Sequence, residues 1–329
     1  MKHILSGICL LSALALGLCG CSKTAAPVSG FPQDGVVRIS TGTSAPVAKA
    51  AGDVSAYQGD NIGLFMWYTD GSDRCTKSNV KWTREASTGE WTPIEQMLWK
   101  SETDKPHVWA YAPYSDTQLV PTGEAECGKI EFSIPADQSA GIGAADLVAW
   151  GVRDYVPDHN LNPNFSEDGK IMVSFSHQLV KLTVNFFIRT QFAADVTISK
   201  VLLKGTSSKV ICDLFDPSSV SKASDATDLD ITFHKVSDLS YEVLFFPGTG
   251  QEPLNQMMEI TMSDGTTLTY TIPAGGLFYG SDTFVSGCAY TMQVLLGKNA
   301  VGLNNVTMDE WISSGMEFDG GDATETTIP

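Results

Sequence analysis

The stretch that decides the fold is Ile62 to Tyr68, which reads IGLFMWY and contains no charged residue. Asp60-Asn61 precedes it and Asp70-Gly71 follows it, so turn-forming residues bound it on both sides. A short, continuous apolar run between turns predicts a β-strand that is buried on both faces. Residues 108–112 (VWAYA) show a similar pattern, and this second run ends at a proline.

Further along the chain, apolar residues recur at every second position, which is typical of strands with one buried face. Turn residues separate these runs at short intervals, which favours sandwiches over βαβ units. The alternating sets are Ile130/Phe132/Ile134, Ile171/Val173/Phe175/His177, Leu182/Val184/Phe186/Ile188, Ile231/Phe233, Tyr241/Val243/Phe245, Leu268/Tyr270/Ile272 and Tyr290/Met292/Val294/Leu296. Residues 93–102 show the one helical pattern. We therefore predict an all-β protein with two tandem antiparallel β-sandwich domains.

A loop-like stretch near the middle of the chain suggests where the two domains meet. Residues 153–169 hold two prolines, three asparagines and one glycine, with few apolar side chains. The 329 residues are enough for two separate cores. We predict an N-terminal domain over residues 51–165 and a C-terminal domain over residues 166–329, which ends in a tail.

The first fifty residues carry export and anchoring signals. Residues 1–20 predict a signal peptide, because Lys2 precedes a short apolar core. The ending Leu18-Cys19-Gly20-Cys21 resembles a bacterial lipobox and would place lipid on Cys21, anchoring the chain to a membrane without spanning it. An ordinary secretory signal is the alternative. Residues 21–50 would form a lipidated leader with one strand-like stretch, Val36-Val37-Arg38-Ile39.

Charge and cysteine content narrow the function further. The chain has 38 acidic and 21 basic residues, a net charge of -17, which argues against nucleic acid as a partner. Four cysteines remain in the mature body: Cys75, Cys127, Cys212 and Cys288. Outside the cytoplasm they permit two disulfides in any of three pairings, and buried free thiols are the alternative.

No grouping of residues in the sequence predicts catalysis or metal binding. Four histidines outside the signal peptide occur singly, without a Ser or Cys motif beside them: His107, His159, His177 and His234. The Gly141-Ile142-Gly143 stretch lacks the third glycine of a dinucleotide loop. Asp158-x-Asn160-x-Asn162 has calcium-loop spacing, but proline stands at the required glycine. We therefore predict no catalytic residue, no metal site and no cofactor, and rank a secreted hydrolase last.

Six of the seven tryptophans lie in the first half of the chain. Core packing accounts for most of them, but Trp82, Trp91 and Trp99 have polar surroundings in sequence. Exposed tryptophans are common platforms for sugars. A lipid-anchored glycan-binding protein is therefore the alternative function.

Short motifs follow one another in a fixed order along the chain. They are the lipobox, an Ala/Thr-rich leader, GDNIGLF (59–65), GEW (89–91), VWAYAPY (108–114), DQS (137–139), DLVAW (146–150), FSHQLVKL (175–182), SGCAY (286–290) and a late Trp311. In this order they resemble the fimbrillin family of Bacteroidetes, the subunits of type V pili and related surface lipoproteins. The resemblance covers nearly the whole chain and implies two transthyretin-like domains with no active site.

The resemblance also implies how such a chain would be used. A trypsin-like protease would remove the leader strand, residues Val36, Val37 and Ile39 among them, by cutting after Lys49, with Arg38 as the second candidate. A strand from another fimbrial subunit would then fill the vacated groove. The implied location is the outer membrane, through lipid on Cys21, and a cell-surface fimbrium.

Three roles within or beside the fibre stay open. A stalk subunit would donate a strand from residues 312–329, a tip subunit would cap the fibre, and a basal anchor would keep its lipid and leader. A host protein or glycan is a further candidate ligand.

Overall fold

The computed structural model describes residues 30–41, 59–70, 74–216, 220–246, 258–270, 284–298 and 300–310. These residues form an all-β protein, as the sequence predicts, with 3-10 turns at Glu124–Glu126 and Gly143–Ala145. The strands are β1 (Ile39–Thr41), β2 (Asn61–Trp67), β3 (Lys77–Arg84), β4 (Trp91–Pro93), β5 (His107–Ala112), β6 (Lys129–Ser133), β7 (Val148–Val152), β8 (Ile171–Val173), β9 (Ser176–His177), β10 (Val180–Ile188), β11 (Ile198–Ser207), β12 (Lys209–Asp213), β13 (Val220–Lys222), β14 (Asp228–Thr232), β15 (His234–Lys235), β16 (Ser240–Phe245), β17 (Met258–Met262), β18 (Thr267–Tyr270), β19 (Cys288–Gly297) and β20 (Ala300–Glu310).

The two continuous apolar runs become neighbouring strands at the centre of a six-stranded antiparallel sheet, in the order β4-β3-β2-β5-β7-β9. Alternate residues of β2 enter two different apolar clusters. Leu64 lies in the cluster that also contains the leader residues, whereas Phe65 lies in a larger cluster shared with the second half of the chain. Phe65 stacks on Trp109 of β5 with ring centroids 4.7 Å apart. Both faces of this sheet are therefore covered, which explains why β2 and β5 lack polar alternation.

The second half of the chain contributes a five-stranded sheet, β15-β16-β10-β19-β20, and a four-stranded sheet, β14-β11-β17-β18. The predicted alternation is confirmed in the longest strands, because Leu182, Val184 and Phe186 of β10 are buried. Their apolar faces and those of β11 and β17 belong to one cluster. Most pairings are antiparallel, although β10 pairs with β19 in parallel. These sheets are consistent with the predicted sandwich architecture, while the transthyretin-like topology stays a prediction.

Strand pairing continues past residue 165, where we place the domain boundary. Strand β8 pairs with β1, and β9 pairs with β7 of the six-stranded sheet. In the other direction, β6 of the first half pairs with β12 in a three-stranded sheet, β13-β12-β6. Residues 171–177 are therefore hydrogen-bonded to the first half, and the division at residue 165 stays a prediction.

The helix predicted over residues 93–102 is wrong. Pro93 ends strand β4, and no helix follows it in these residues, all of which are described. The carbonyl of Met97 accepts a hydrogen bond from Val37 N, and Trp99 N donates to Gly35 O. The backbone groups that a helix would have used internally are thus bonded to the leader.

The four cysteines of the mature body are not joined in disulfides, and Cys127 and Cys212 are thiols. Cys127 and Cys212 are buried, and burial raises the pKa of their thiols to about 11 and about 12 respectively. The two disulfides that the cysteine count permits are absent among these four residues.

The rate of alkylation distinguishes a buried thiol from a cysteine in a disulfide. In the folded chain at pH 8, Cys212 should react with iodoacetamide at least about 100-fold more slowly than in 6 M guanidinium, because its thiolate is scarce and its sulfur is inaccessible. Mass spectrometry of quenched samples measures the rate for each thiol. Finding Cys127 and Cys212 refractory to alkylation even after denaturation without reductant would contradict the free-thiol assignment.

Candidate leader strand and its acceptor groove

The described part of the leader, residues 30–41, begins with a turn fixed by its own side chains. Gly35 N donates to Pro32 O at 2.9 Å, and Val36 N donates to the Asp34 carboxylate at 3.0 Å. The Arg38 guanidinium lies 2.5 Å from Asp34 Oδ2. The hydrogen bonds from Arg38 and from Val36 N hold the pKa of Asp34 at about 2, below its usual value. Because this pKa is depressed in the folded chain, the pair favours folding above the unfolded pKa near 4 and loses that effect as the pH falls towards 2.

Beyond this turn, the leader is hydrogen-bonded on both of its edges. On one edge lie the two bonds to residues 97–99, which give an antiparallel bridge between Val36 and Leu98. On the other edge, Ile171 N donates to Arg38 O at 2.9 Å, and β1 pairs in parallel with β8. The leader is therefore an inserted strand between two segments that are distant from it in sequence.

The side chains of the leader alternate as an inserted strand requires. Val37 and Ile39 are buried, with exposed fractions of 1% and 5%, whereas Arg38 between them reaches solvent. Both buried residues belong to the cluster that includes Ile171 and Trp99. At the end of β1, the Trp91 indole Nε1 donates to Thr41 Oγ1 at 3.2 Å.

We call the space that residues 35–41 occupy, between residues 97–99 and β8, the acceptor groove. Its walls supply backbone donors and acceptors, including Met97 O, Trp99 N and Ile171 N. Its floor is apolar, because the cluster that receives Val37 and Ile39 also contains residues of β2 and β5. The leader fills this groove through backbone hydrogen bonds and through two aliphatic side chains at positions i and i+2.

The structure places some of the predicted leader residues and not others. Val36, Val37 and Ile39 lie in the acceptor groove, although regular pairing begins only at Ile39. Cys21 and Lys49 lie outside the described residues. The sequence did not predict that residues 97–99 line the groove. The apolar triplet Met97-Leu98-Trp99 fits a helical pattern as well as an extended one.

Two of the histidines considered for catalysis, and the segment with calcium-loop spacing, have local partners. His177 Nδ1 lies 2.7 Å from the Asp146 carboxylate, and His234 Nδ1 lies 2.9 Å from Ser139 O. The predicted calcium spacing is a turn, in which Asn160 N donates to Asp158 Oδ1. Within the described ranges, no three His, Cys, Asp or Glu side chains are grouped as metal ligands, and no helix is long and apolar enough to cross a membrane.

The tryptophans considered as sugar platforms are core residues. Trp82, Trp91 and Trp99 have exposed fractions of 1%, 9% and 5%, so their polar neighbours in sequence do not reflect their surroundings. These three tryptophans therefore do not support the alternative function of a glycan-binding protein with exposed tryptophans.

These features define a class: an all-β protein whose N-terminal segment fills a groove in its own core. The sequence model of the fimbrillin-like family matches residues 47–311, which is most of the chain. The chain belongs to the fimbrillin-like family.

Solved structures agree with this assignment at the level of the fold. A candidate cell adhesion protein from Bacteroides uniformis is 20% identical, with a TM-score of 0.58 over 85% of this chain and 99% of that one. A fimbrial protein from Bacteroides vulgatus is 15% identical, with a TM-score of 0.52 over 84% and 99%. A search of curated proteins finds no match.

Proposed function

We propose that this chain is a structural or adhesive subunit of a cell-surface fimbria. In this proposal it is exported as a lipoprotein precursor, acylated at Cys21, and assembled after proteolytic removal of the leader. Membership of the fimbrillin-like family supports the fimbrial role, and the inserted leader strand is the observation that carries the assembly step. The function needs no catalytic residue and no cofactor.

Two properties of the leader favour strand exchange. It is held by backbone hydrogen bonds and two aliphatic side chains, which another extended segment can supply without matching the whole sequence. It also fills the groove in the precursor, so the open edges of residues 97–99 and β8 are protected from premature pairing.

The surroundings of Arg38 favour Lys49 as the cleavage site. The Arg38–Ile39 peptide bond is followed by the buried side chain of Ile39, and the Arg38 carbonyl accepts the hydrogen bond from Ile171 N. A protease needs an accessible, unpaired backbone around the bond that it cuts. Cutting after Arg38 would also leave Ile39 in the groove, whereas cutting after Lys49 would release the whole of residues 35–41.

Limited proteolysis tests this proposal. Trypsin added to the folded, lipid-free precursor should produce a new N-terminus at Ala50, and cleavage after Arg38 should follow only on unfolding. Intact mass and N-terminal sequencing identify the cut, and size-exclusion chromatography with light scattering follows assembly. Lys49→Gln should block both processing and assembly.

Lys298→Gln is the matched control, because this lysine is exposed and lies outside the leader. It should be processed as the unchanged chain is. Early cleavage after Arg38 would contradict the site assignment. A leader that resists cutting would favour the basal-anchor role, and a correctly cut chain that stays monomeric would favour the surface-binding role over strand exchange.

A further inference from the structure

One face of the five-stranded sheet carries an ordered array of uncharged polar side chains. Alternation along β10 sends Leu182, Val184 and Phe186 into the core and the residues between them to the opposite face. The register places Thr183 beside Thr291 of β19, and Thr291 beside Thr307 of β20. In the next row Asn185 lies beside Gln293, and Gln293 beside Asn305. We call these six residues the polar array.

The residues of the polar array are at least partly exposed: Asn305 and Thr307 are exposed, and the other four are half-buried. Gln293 accepts a hydrogen bond from Asn304 at 3.0 Å. Among the described residues, the other five side chains of the array make no hydrogen bond. Neighbouring strands lie about 4.8 Å apart and alternate residues about 6.8 Å apart along a strand. The array is therefore a grid of donors and acceptors on a rigid sheet, and its three threonines are stiff at χ1.

An aromatic side chain ends the same face. Phe187 follows Asn185 on this face of β10, is paired with Leu295, and is 48% exposed. Gly302 stands opposite Leu295 on β20, and a Cβ built there would meet nothing within 4 Å. An exposed aromatic ring next to open space can stack on the apolar face of a sugar ring.

The charge on this face points to a neutral ligand. Lys181 and Glu242, which flank the array, are paired with each other at 3.1 Å. The whole chain carries a net charge of -17, so an anionic polymer would be repelled. Amide and hydroxyl groups donate and accept in the same way as sugar hydroxyls do.

We propose that the polar array and Phe187 form a binding face for a neutral oligosaccharide. Sugar hydroxyls hydrogen-bond to the threonine and amide rows, and one pyranose ring stacks on Phe187. The site differs from the buried tryptophans and from the acceptor groove, so it operates whether or not the chain takes part in strand exchange.

The test uses the lipid-free chain, residues 22–329, on a printed array of neutral and acidic oligosaccharides, followed by calorimetric titration with the best neutral one. Phe187→Ala, and Asn185→Ala with Gln293→Ala, should each reduce the affinity at least tenfold while circular dichroism and the melting temperature show a folded chain. Ile94→Ala is the matched control, because Ile94 is 71% exposed in the first half of the chain, and it should bind as the unchanged chain does.

Three outcomes would overturn the proposal. These are the absence of saturable binding to every neutral glycan, binding that is unchanged by Phe187→Ala, and tighter binding to acidic glycans. Light scattering provides a separate measurement: a dimer of the unchanged chain that Phe187→Ala dissociates would assign this face to self-association instead. Processing at Lys49 is measured independently, so failure here leaves the assembly proposal standing.

Discussion

Replacing Gly63 by alanine should lower the free energy of unfolding by about 3 kcal/mol, although a glycine-to-alanine change in a strand ordinarily stabilises. A Cβ at this position would lie 2.2 Å from Tyr111 Cε1 and 2.8 Å from the Asn79 side-chain oxygen. Neither neighbour can move freely, because the Tyr111 hydroxyl accepts a hydrogen bond from Ser115 N and lies 2.9 Å from Asn79 Oδ1 and 2.8 Å from Ser115 O, either of which can accept its proton. The added methyl group therefore displaces a buried ring and its hydrogen bonds together.

Gly302→Ala is the control for this effect. Gly302 also lies in a strand, and a Cβ there would meet nothing within 4 Å, so the loss of chain entropy in the unfolded state should leave stability unchanged or slightly increased. Urea unfolding followed by tryptophan fluorescence measures both variants. Equal midpoints for the two variants would contradict the close approach of β2 to β5.

Much of the strand content can be predicted from the sequence, because the positions that are buried in a strand are occupied by apolar residues. The apolar run around Phe65 predicts a strand covered on both faces, and the structure confirms it through the two clusters on either side of the six-stranded sheet. Strand β10 is predicted just as directly from alternation. Both signals are local and need no knowledge of which strands are neighbours.

The register and the long-range partners could not be predicted in this way. Residues 97–99 are extended because their backbone groups bond to the leader about sixty residues earlier, which overrides a local helical pattern. The polar array likewise exists only because β10, β19 and β20 are aligned so that Thr183, Thr291 and Thr307 form one row. A shift of one residue in either pairing would bury these side chains, and nothing local to each strand fixes that choice.

Removing the leader should weaken the core of the folded chain without preventing the leader from binding again as a separate peptide. A chain that starts at Ala50 lacks Val37 and Ile39, and burying two aliphatic side chains contributes about 3–6 kcal/mol. We expect its free energy of unfolding to fall by an amount of this order relative to the precursor. A synthetic peptide of residues 30–41 added in excess should raise the melting temperature again, because it binds the folded chain and fills the acceptor groove.

Two variant peptides separate groove filling from nonspecific binding. A peptide with Ile39→Asp should not stabilise the shortened chain, since it would bury an unpaired carboxylate. A peptide with Arg38→Gln should stabilise it nearly as well as the unchanged peptide, because the Arg38–Asp34 pair is exposed and such pairs contribute little.

If the chain from Ala50 were as stable as the precursor, and if none of the three peptides changed its stability, the leader would be a surface segment rather than a core strand. Stabilisation by the Arg38→Gln peptide and not by the Ile39→Asp peptide would mean that the acceptor groove selects its strand by aliphatic residues at positions i and i+2, which is the selectivity that exchange between subunits requires.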